Sequence, residues 1–415
     1  MNYGGKKMNT EMLRKYAELV IRTGINIQEN QQLIILSPIE CANFARMMAE
    51  KAYEAGAINV IVDFTDEELD LIRYNKAPKE SFEKEPTHRA AAREELIREK
   101  TALISISAKD PEILKDVDPS KIASLTKATS KALRKSSAAL MSNEVQWCVV
   151  SIPTKGWAKK VFPEVPVEEA EEKLWESIFS IVRADQESPV DAWEEHLANL
   201  KTRREFLTEK QFKYLYYKSE GTNLTVELTP GHVWLAGEEY TKDGVKFVAN
   251  MPTEEVFTLP KKDGVNGYVT SKKPLNYGGN VIDNFKLTLK DGKIIDFTAE
   301  KGEEILKGLL DTDEGARYLG EVALVGHNSP ISNSGLVFFN TLFDENASCH
   351  FAFGKAYPSC LADSENMSEA ELEEKGVNDS LTHVDFMIGS AELEIIGETA
   401  DGEKIQIFKE GNWVI

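Results

Sequence analysis

An α/β domain built on a parallel, Rossmann-like sheet, followed by an α+β domain with a largely antiparallel sheet, is the fold class that this sequence predicts. Two observations carry it. In the first part of the chain, short uninterrupted apolar runs alternate with amphipathic stretches at helical spacing, the pattern of parallel strands covered by helices on both faces. From about residue 214 the texture changes to short strands of alternating polarity, two of them joined by Asp291-Gly292, a strong hairpin turn.

The elements follow in order. Residues 10–23 carry Leu13, Ala17, Val20 and Ile21 at helical spacing, and Gly24 follows as a C-terminal cap. Residues 33–36, Leu-Ile-Ile-Leu, form a buried strand stopped by Ser37-Pro38. Residues 40–55 place Phe44, Met47, Met48, Ala52 and Ala55 on one helical face, ahead of Gly56. Further strands are expected at 58–62, 102–106 and 147–152, with a helix around 119–139. No strand leads into GxGxxG, and there is no GxxxxGK[ST], so this part reads as a scaffold or recognition domain without nucleotide. Residues 166–213 are helical and highly charged, starting at Pro166. The expected domains are therefore 1–213 and 214–415, with residues 1–7 as an unstructured extension. In the second domain, strands are expected at 224–228, 268–271, 285–290, 294–298, 321–325, 336–339, 384–388, 393–396 and 405–408.

Charge and cysteine usage narrow the function. Lysine and arginine total 49 against 69 acidic residues, a net charge of -20. That balance argues against nucleic acid and against an anionic membrane surface, and favours attraction of cations or an ammonium group. Cys41, Cys148, Cys349 and Cys360 form no CxxC pair and suit a reducing compartment. No signal peptide is evident, and no run approaches the roughly 18 apolar residues that span a bilayer. A cytoplasmic protein is expected.

Candidate ligands gather in the second half. Asn250-Met251-Pro252-Thr253-Glu254-Glu255-Val256 sets carboxylates beside a proline, and Glu321 opens an apolar strand. Glu345 and His350 stand five apart, and His383 and Asp385 two apart. Residues i and i+2 of a strand share a face, so His383 and Asp385 can aim into one pocket. A buried Glu321 needs a metal or hydrogen bonds to offset its charge. Carboxylates with imidazoles suit zinc, cobalt or manganese rather than a thiolate site. Taken singly, each has a plainer reading. His383 and Asp385 can be incidental, Glu321 a salt-bridge partner, Glu345 and His350 the stabilisers of a helical turn, and Glu255 solvent-facing. His88, His196 and His232 lie in polar segments and read as surface residues, and His327 as a turn residue. Cys349 reads as a small packing residue.

The stretches MPTEEVFT, LGEVALV, NTLFDENASCHFAFGKAYP and THVDFMIG resemble, in order and spacing, the motifs of the thermophilic aminopeptidase family. The resemblance runs over essentially all of residues 9–415. It implies a metallo-aminopeptidase with two divalent ions (zinc, cobalt, manganese or magnesium) held by Glu255, Glu321, Glu345, His350, His383 and Asp385. Glu321 would bridge the ions. Glu255, His383 and Asp385 would complete one, and Glu345 and His350 the other. Tyr357 matches the family's active-site tyrosine and would stabilise an oxyanion. Glu254 is the candidate for the proton-shuttling carboxylate, with a plain exposed neighbour of a ligand as its rival reading. Short peptides with a free N-terminus are the implied substrates, and a homodimer the implied assembly. Two other classes stay open: a serine-type amidase or esterase, although no GxSxG is present, and a non-catalytic binding protein built on the α/β half.

Overall fold

The apolar run at 33–36 lies inside the Gln32–Pro38 strand of a computed structural model that describes residues 10–277 and 280–415. The extension expected at 1–7 lies outside the described residues. The chain forms two units, one of residues up to 196 together with 238–252, the other of 197–237 together with 253–415. It thus passes between units three times, where the sequence suggests one boundary near 213.

The first unit carries a five-stranded sheet in the order Asn59–Thr65, Gln32–Pro38, Ala102–Ile106, Trp147–Val150, Asn250–Met251. Every neighbouring pair is parallel. The central strands are buried, with Leu33, Ile35, Ala102 and Ile104 fully covered, as expected where helices cover both faces. The Asn59–Thr65 edge strand is only half-buried. Segment 238–252 joins this unit because Asn250–Met251 adds the fifth strand beside Trp147–Val150. The first helix runs Thr10–Leu19 and widens into a π turn, Val20–Gly24, closed by Ile25 N–H donating to Val20 O at 2.7 Å. The expected helix around 119–139 spans Pro119–Met141, with the Asp118 carboxylate accepting from Ser120 N–H at its start.

The second unit holds two antiparallel sheets. The larger runs Leu275–Tyr277, Asn280–Lys290, Pro260–Thr270, Thr222–Leu228, Tyr214–Ser219, Glu394–Glu398, Lys404–Lys409, Asn412–Trp413, with Lys293–Lys301 also pairing Asn280–Lys290. The Asp291-Gly292 hairpin forms as expected, both residues at positive φ (48° and 76°). A Cβ at Gly292 would lie 1.7 Å from the Lys262 carbonyl oxygen, so only glycine fits that turn. The smaller sheet, in the order Val256–Thr258, Leu319–Leu324, His350–Gly354, His383–Met387, holds the candidate site. Its other face packs Leu319, Val322, Leu324, Phe351, Phe353 and Phe386 into a common apolar core with Leu215, Tyr217, Phe285 and Ile395 of the larger sheet.

Two local expectations give way. The strand expected at 336–339 is irregular. The buried Asp344 carboxylate accepts from Phe338 N–H (2.8 Å) and Asn340 N–H (3.1 Å) and wraps the segment around itself, leaving Phe339 at φ 53°. The helical turn considered for Glu345 and His350 is also divided. Glu345–Ala347 is a short 3-10 turn, while His350 opens a strand whose Phe351 and Phe353 alternate into the core.

Candidate metal centre

Pairing register puts the acids and imidazoles on one face. Across three strands, Glu321 lies opposite Ala352, and Ala352 opposite Asp385. His350 is two residues from Ala352, and His383 two from Asp385, so all four functional side chains share the face that the small Ala352 leaves open. Glu321 reaches this face through a β-bulge. Leu319 pairs with Phe353 while Glu321 pairs with Ala352, so Gly320 is an extra residue on its strand. A Cβ at Gly320 would sit 2.4 Å from the carbonyl oxygens of both Gly354 and Lys355. Glu255 comes in from the residue preceding the Val256–Thr258 strand.

The side chains converge as two groups with Glu321 in common. In Glu255, Glu321 and His350, and again in Glu321, His383 and Asp385, one donor atom from each residue lies within 4.8 Å of the others. His350 Nε2 is 3.1 Å from Glu255 and 3.3 Å from Glu321, and His383 Nε2 is 3.3 Å from Asp385 and 3.6 Å from Glu321. Each imidazole is held from behind, with Nδ1 facing a backbone carbonyl: Ser348 for His350 at 3.0 Å, Lys355 for His383 at 2.7 Å. An Nδ1–H donated to those carbonyls fixes each ring with Nε2 turned toward the carboxylates, the arrangement that orients metal-binding histidines. Glu255 therefore groups with His350, where the partition inferred from the sequence set it with His383 and Asp385.

The electrostatics are those of a crowded acidic cluster. Burial pushes the Glu321 carboxyl above its ordinary range, against the hydrogen bond from His350. Burial, with Asp385 and Glu255 nearby, raises Glu345 well above its usual value. Burial disfavours charge on the imidazoles, yet Glu255 and Glu321 lift His350 well above 6.5, and Asp385 and Glu321 lift His383 to about 9. Glu345 lies outside both donor groups, and its strongest charged neighbour is Asp385. Tyr357 sets its ring edge-on against His383, with centroids 4.8 Å apart, and burial followed by the field of Glu321 holds its hydroxyl protonated. Glu254 is buried and outside both groups. Its backbone N–H donates to Asn346 Oδ1 at 2.7 Å, and its charge acts on Arg203.

The family model for thermophilic metalloproteases, M29, matches residues 9–413. The chain belongs to family M29. Among the relatives of this M29 chain, aminopeptidase 2 of Geobacillus stearothermophilus is 52% identical over 401 residues, covering 97% of each chain. Aminopeptidase AmpS of Bacillus subtilis is 47% identical over 404 residues, covering 97% of this chain and 98% of that one. The solved structure of wild-type AmpT from Thermus thermophilus superposes with a TM-score of 0.93 at 41% identity, covering 98% of this chain and all of that one.

The donor set of the M29 chain fits divalent cations. Several carboxylates face two imidazoles, and the buried Asp385 Oδ1 has only His383 Nε2, at 3.3 Å, as an ion-pair partner among the described residues. A buried group in which carboxylates outnumber imidazoles is costly without a further cation. Oxygen and imidazole donors suit zinc, cobalt or manganese. No thiol takes part. Cys349 is buried in the core on the other face of the sheet, its thiol pushed up to about 12 by burial, as a packing residue would be.

Two residues were not singled out in the sequence: Arg203, in a helix read only as highly charged, and Asn346, which ties Glu254 to the turn bearing Glu345. The Asn between Glu345 and Ala347 was the available signal. Of the other histidines, His88 is exposed, His196 is half-buried against Trp193, and His327 occupies its turn outside both groups. His232 corrects the surface expectation, because it is 2% exposed. Nδ1 lies 3.0 Å from the Thr229 carbonyl, Nε2 has no partner among the described residues, and burial lowers the pKa to about 4. An unfolded histidine titrates near 6.5. Between those values the unfolded chain alone takes the proton, so stability falls as pH drops through this window. The loss reaches about 3 kcal/mol near pH 4. His232→Asn keeps a donor for Thr229 and removes the titration, so thermal melts from pH 7 to 4 should show a shallower acid branch. Superimposable branches would refute the assignment.

Proposed function

We propose that this chain is an aminopeptidase that removes the N-terminal residue of short peptides with a pair of divalent ions. The observation that carries the reading is the sharing of Glu321 between two donor groups. Glu255 and His350 would complete one ion and His383 and Asp385 the other, with Glu345 joining the second beside its strongest neighbour, Asp385. When bound, two adjacent ions supply an acidified water and an electrophile for the scissile carbonyl. The residues do the rest. The surplus of carboxylates over imidazoles attracts a free α-ammonium group. Tyr357, kept protonated at neutral pH, donates a hydrogen bond to the developing oxyanion. Glu254, next to Glu255 but outside both groups, carries the water proton toward the leaving amine.

Hydrolysis of amino-acyl anilides tests the proposal. Activity should fall at least 100-fold after dialysis against a chelator and return with cobalt, zinc or manganese, with metal analysis approaching two ions per chain. Full activity in the chelated protein would end the two-ion reading. Cytoplasmic residence and a homodimer belong to the same proposal. They are supported by the family resemblance and by four buried free thiols, and no described helix is long and apolar enough to cross a membrane. A sedimentation mass decides the dimer.

A further inference from the structure

We propose that the cavity beside Glu254 receives the free C-terminal carboxylate of a dipeptide substrate, with Arg203 as its anchor. The inference rests on the aminopeptidase reading above. The cavity measures about 240 Å³ and is lined by Arg203, Glu254, Asn328, Ser329, Asn412 and Trp413, together with Gly326. A water occupies about 30 Å³ of liquid, so the space suits a small terminal residue rather than a long peptide.

Its placement follows from register. The ladder between Val256–Thr258 and Leu319–Leu324 ends at the pair Val256↔Leu324. One residue before Val256 is Glu255, in the first donor group. Two residues from the ladder's end on either strand are Glu254 and Gly326, which both line the cavity. The cavity and the donor cluster are therefore reached from consecutive residues of one segment, and a substrate advances only about 3.3–3.6 Å per extended residue.

The chemistry of the lining favours an anion of planar shape. Arg203 packs its guanidinium over the Trp413 ring, 5.0 Å from the centroid, and is half-buried. Among the described residues no acceptor takes a hydrogen bond from it, so its fork of donors is unspent. Glu254 acts on the guanidinium by electrostatic attraction. Asn328 Oδ1 accepts from Asn333 Nδ2 at 2.8 Å, which leaves its own amide N–H groups as further donors, and Asn328 N–H is fixed on Asn412 Oδ1 at 2.7 Å. A guanidinium and a carboxylate pair in a bidentate fork that a lone amide carbonyl cannot match.

The test compares Leu-Gly, Leu-Gly-NH2 and Leu-Asp-NH2 on the cobalt-loaded enzyme. Wild type should show kcat/KM about 10- to 100-fold higher for Leu-Gly than for Leu-Gly-NH2, the span of a charged hydrogen-bonded pair. In Arg203→Gln that ratio should collapse toward one, and in Arg203→Lys it should be partly restored. The ratio, not the common rate, is the readout, because a loss through Glu254 or through folding lowers both substrates together. A wild-type ratio near one, or an unchanged ratio in Arg203→Gln, overturns the inference, and the first outcome requires no variant. Leu-Asp-NH2 cleaved as well as Leu-Gly would assign the anchor to an acidic side chain and overturn the C-terminal assignment. If none of the three is cleaved, the aminopeptidase reading fails first, which separates the two failures.

Discussion

Glu321→Gln is expected to lower kcat/KM on an amino-acyl anilide by on the order of 10³-fold or more, even with metal in excess. Glu321 is the single side chain common to both donor groups, 3.3 Å from His350 and 3.6 Å from His383. The amide keeps its volume but loses the negative charge that would hold two cations side by side. Bound metal should fall below two ions per chain by elemental analysis. The metal-free variant should melt no lower than metal-free wild type, because burial and the neighbouring Asp385 and Glu255 carboxylates already oppose a charge at Glu321. A variant that retained two ions and wild-type turnover would remove Glu321 from the centre of the mechanism.

Tyr357→Phe should lower kcat by about 10²- to 10³-fold with KM little changed, the behaviour of a donor used only in the transition state. Phenylalanine preserves the ring contacts to His383 at 4.8 Å and to Phe257 at 6.0 Å, so the strand that carries His383 keeps its support. Metal content should therefore be that of wild type. Burial, and then the field of the surrounding carboxylates, makes the hydroxyl harder to ionise, which suits a hydrogen-bond donor and not a base. A twofold change in kcat, or a loss of metal equal to the loss of rate, would show that the hydroxyl does not meet the oxyanion.

Much of this was readable from local spacing, and the remainder was not local. The i, i+2 spacing of His383 and Asp385 fixed their common face once a strand was recognised. The apolar runs around 33–36 and 102–106 announced a buried parallel sheet without any knowledge of partners. The pairing of Glu255 with His350 depends instead on which residues of three strands stand opposite one another, and register is a property of the assembled sheet. His232 looked polar in sequence, yet its backbone bridges to Leu361 and its ring lies against Trp234, where hydrophobic context overrides residue type. Arg203 lies in a run of charges, and only the approach of Trp413 from the far end of the chain distinguishes it from its neighbours. The irregular path through Phe338 and Phe339 depended on Asp344, a buried carboxyl whose role is to gather backbone N–H groups.

An even-numbered alternation would condemn Leu319 and Glu321 to the same environment. The strand escapes that by counting one residue twice at Gly320, so that odd positions before it and odd positions after it have opposite destinies. Upstream, Leu319 serves cohesion; downstream, the acid serves chemistry; and the change of parity between them occupies a single atom-poor residue. Folding and reactivity thus draw on one short strand without competing for the same side of it.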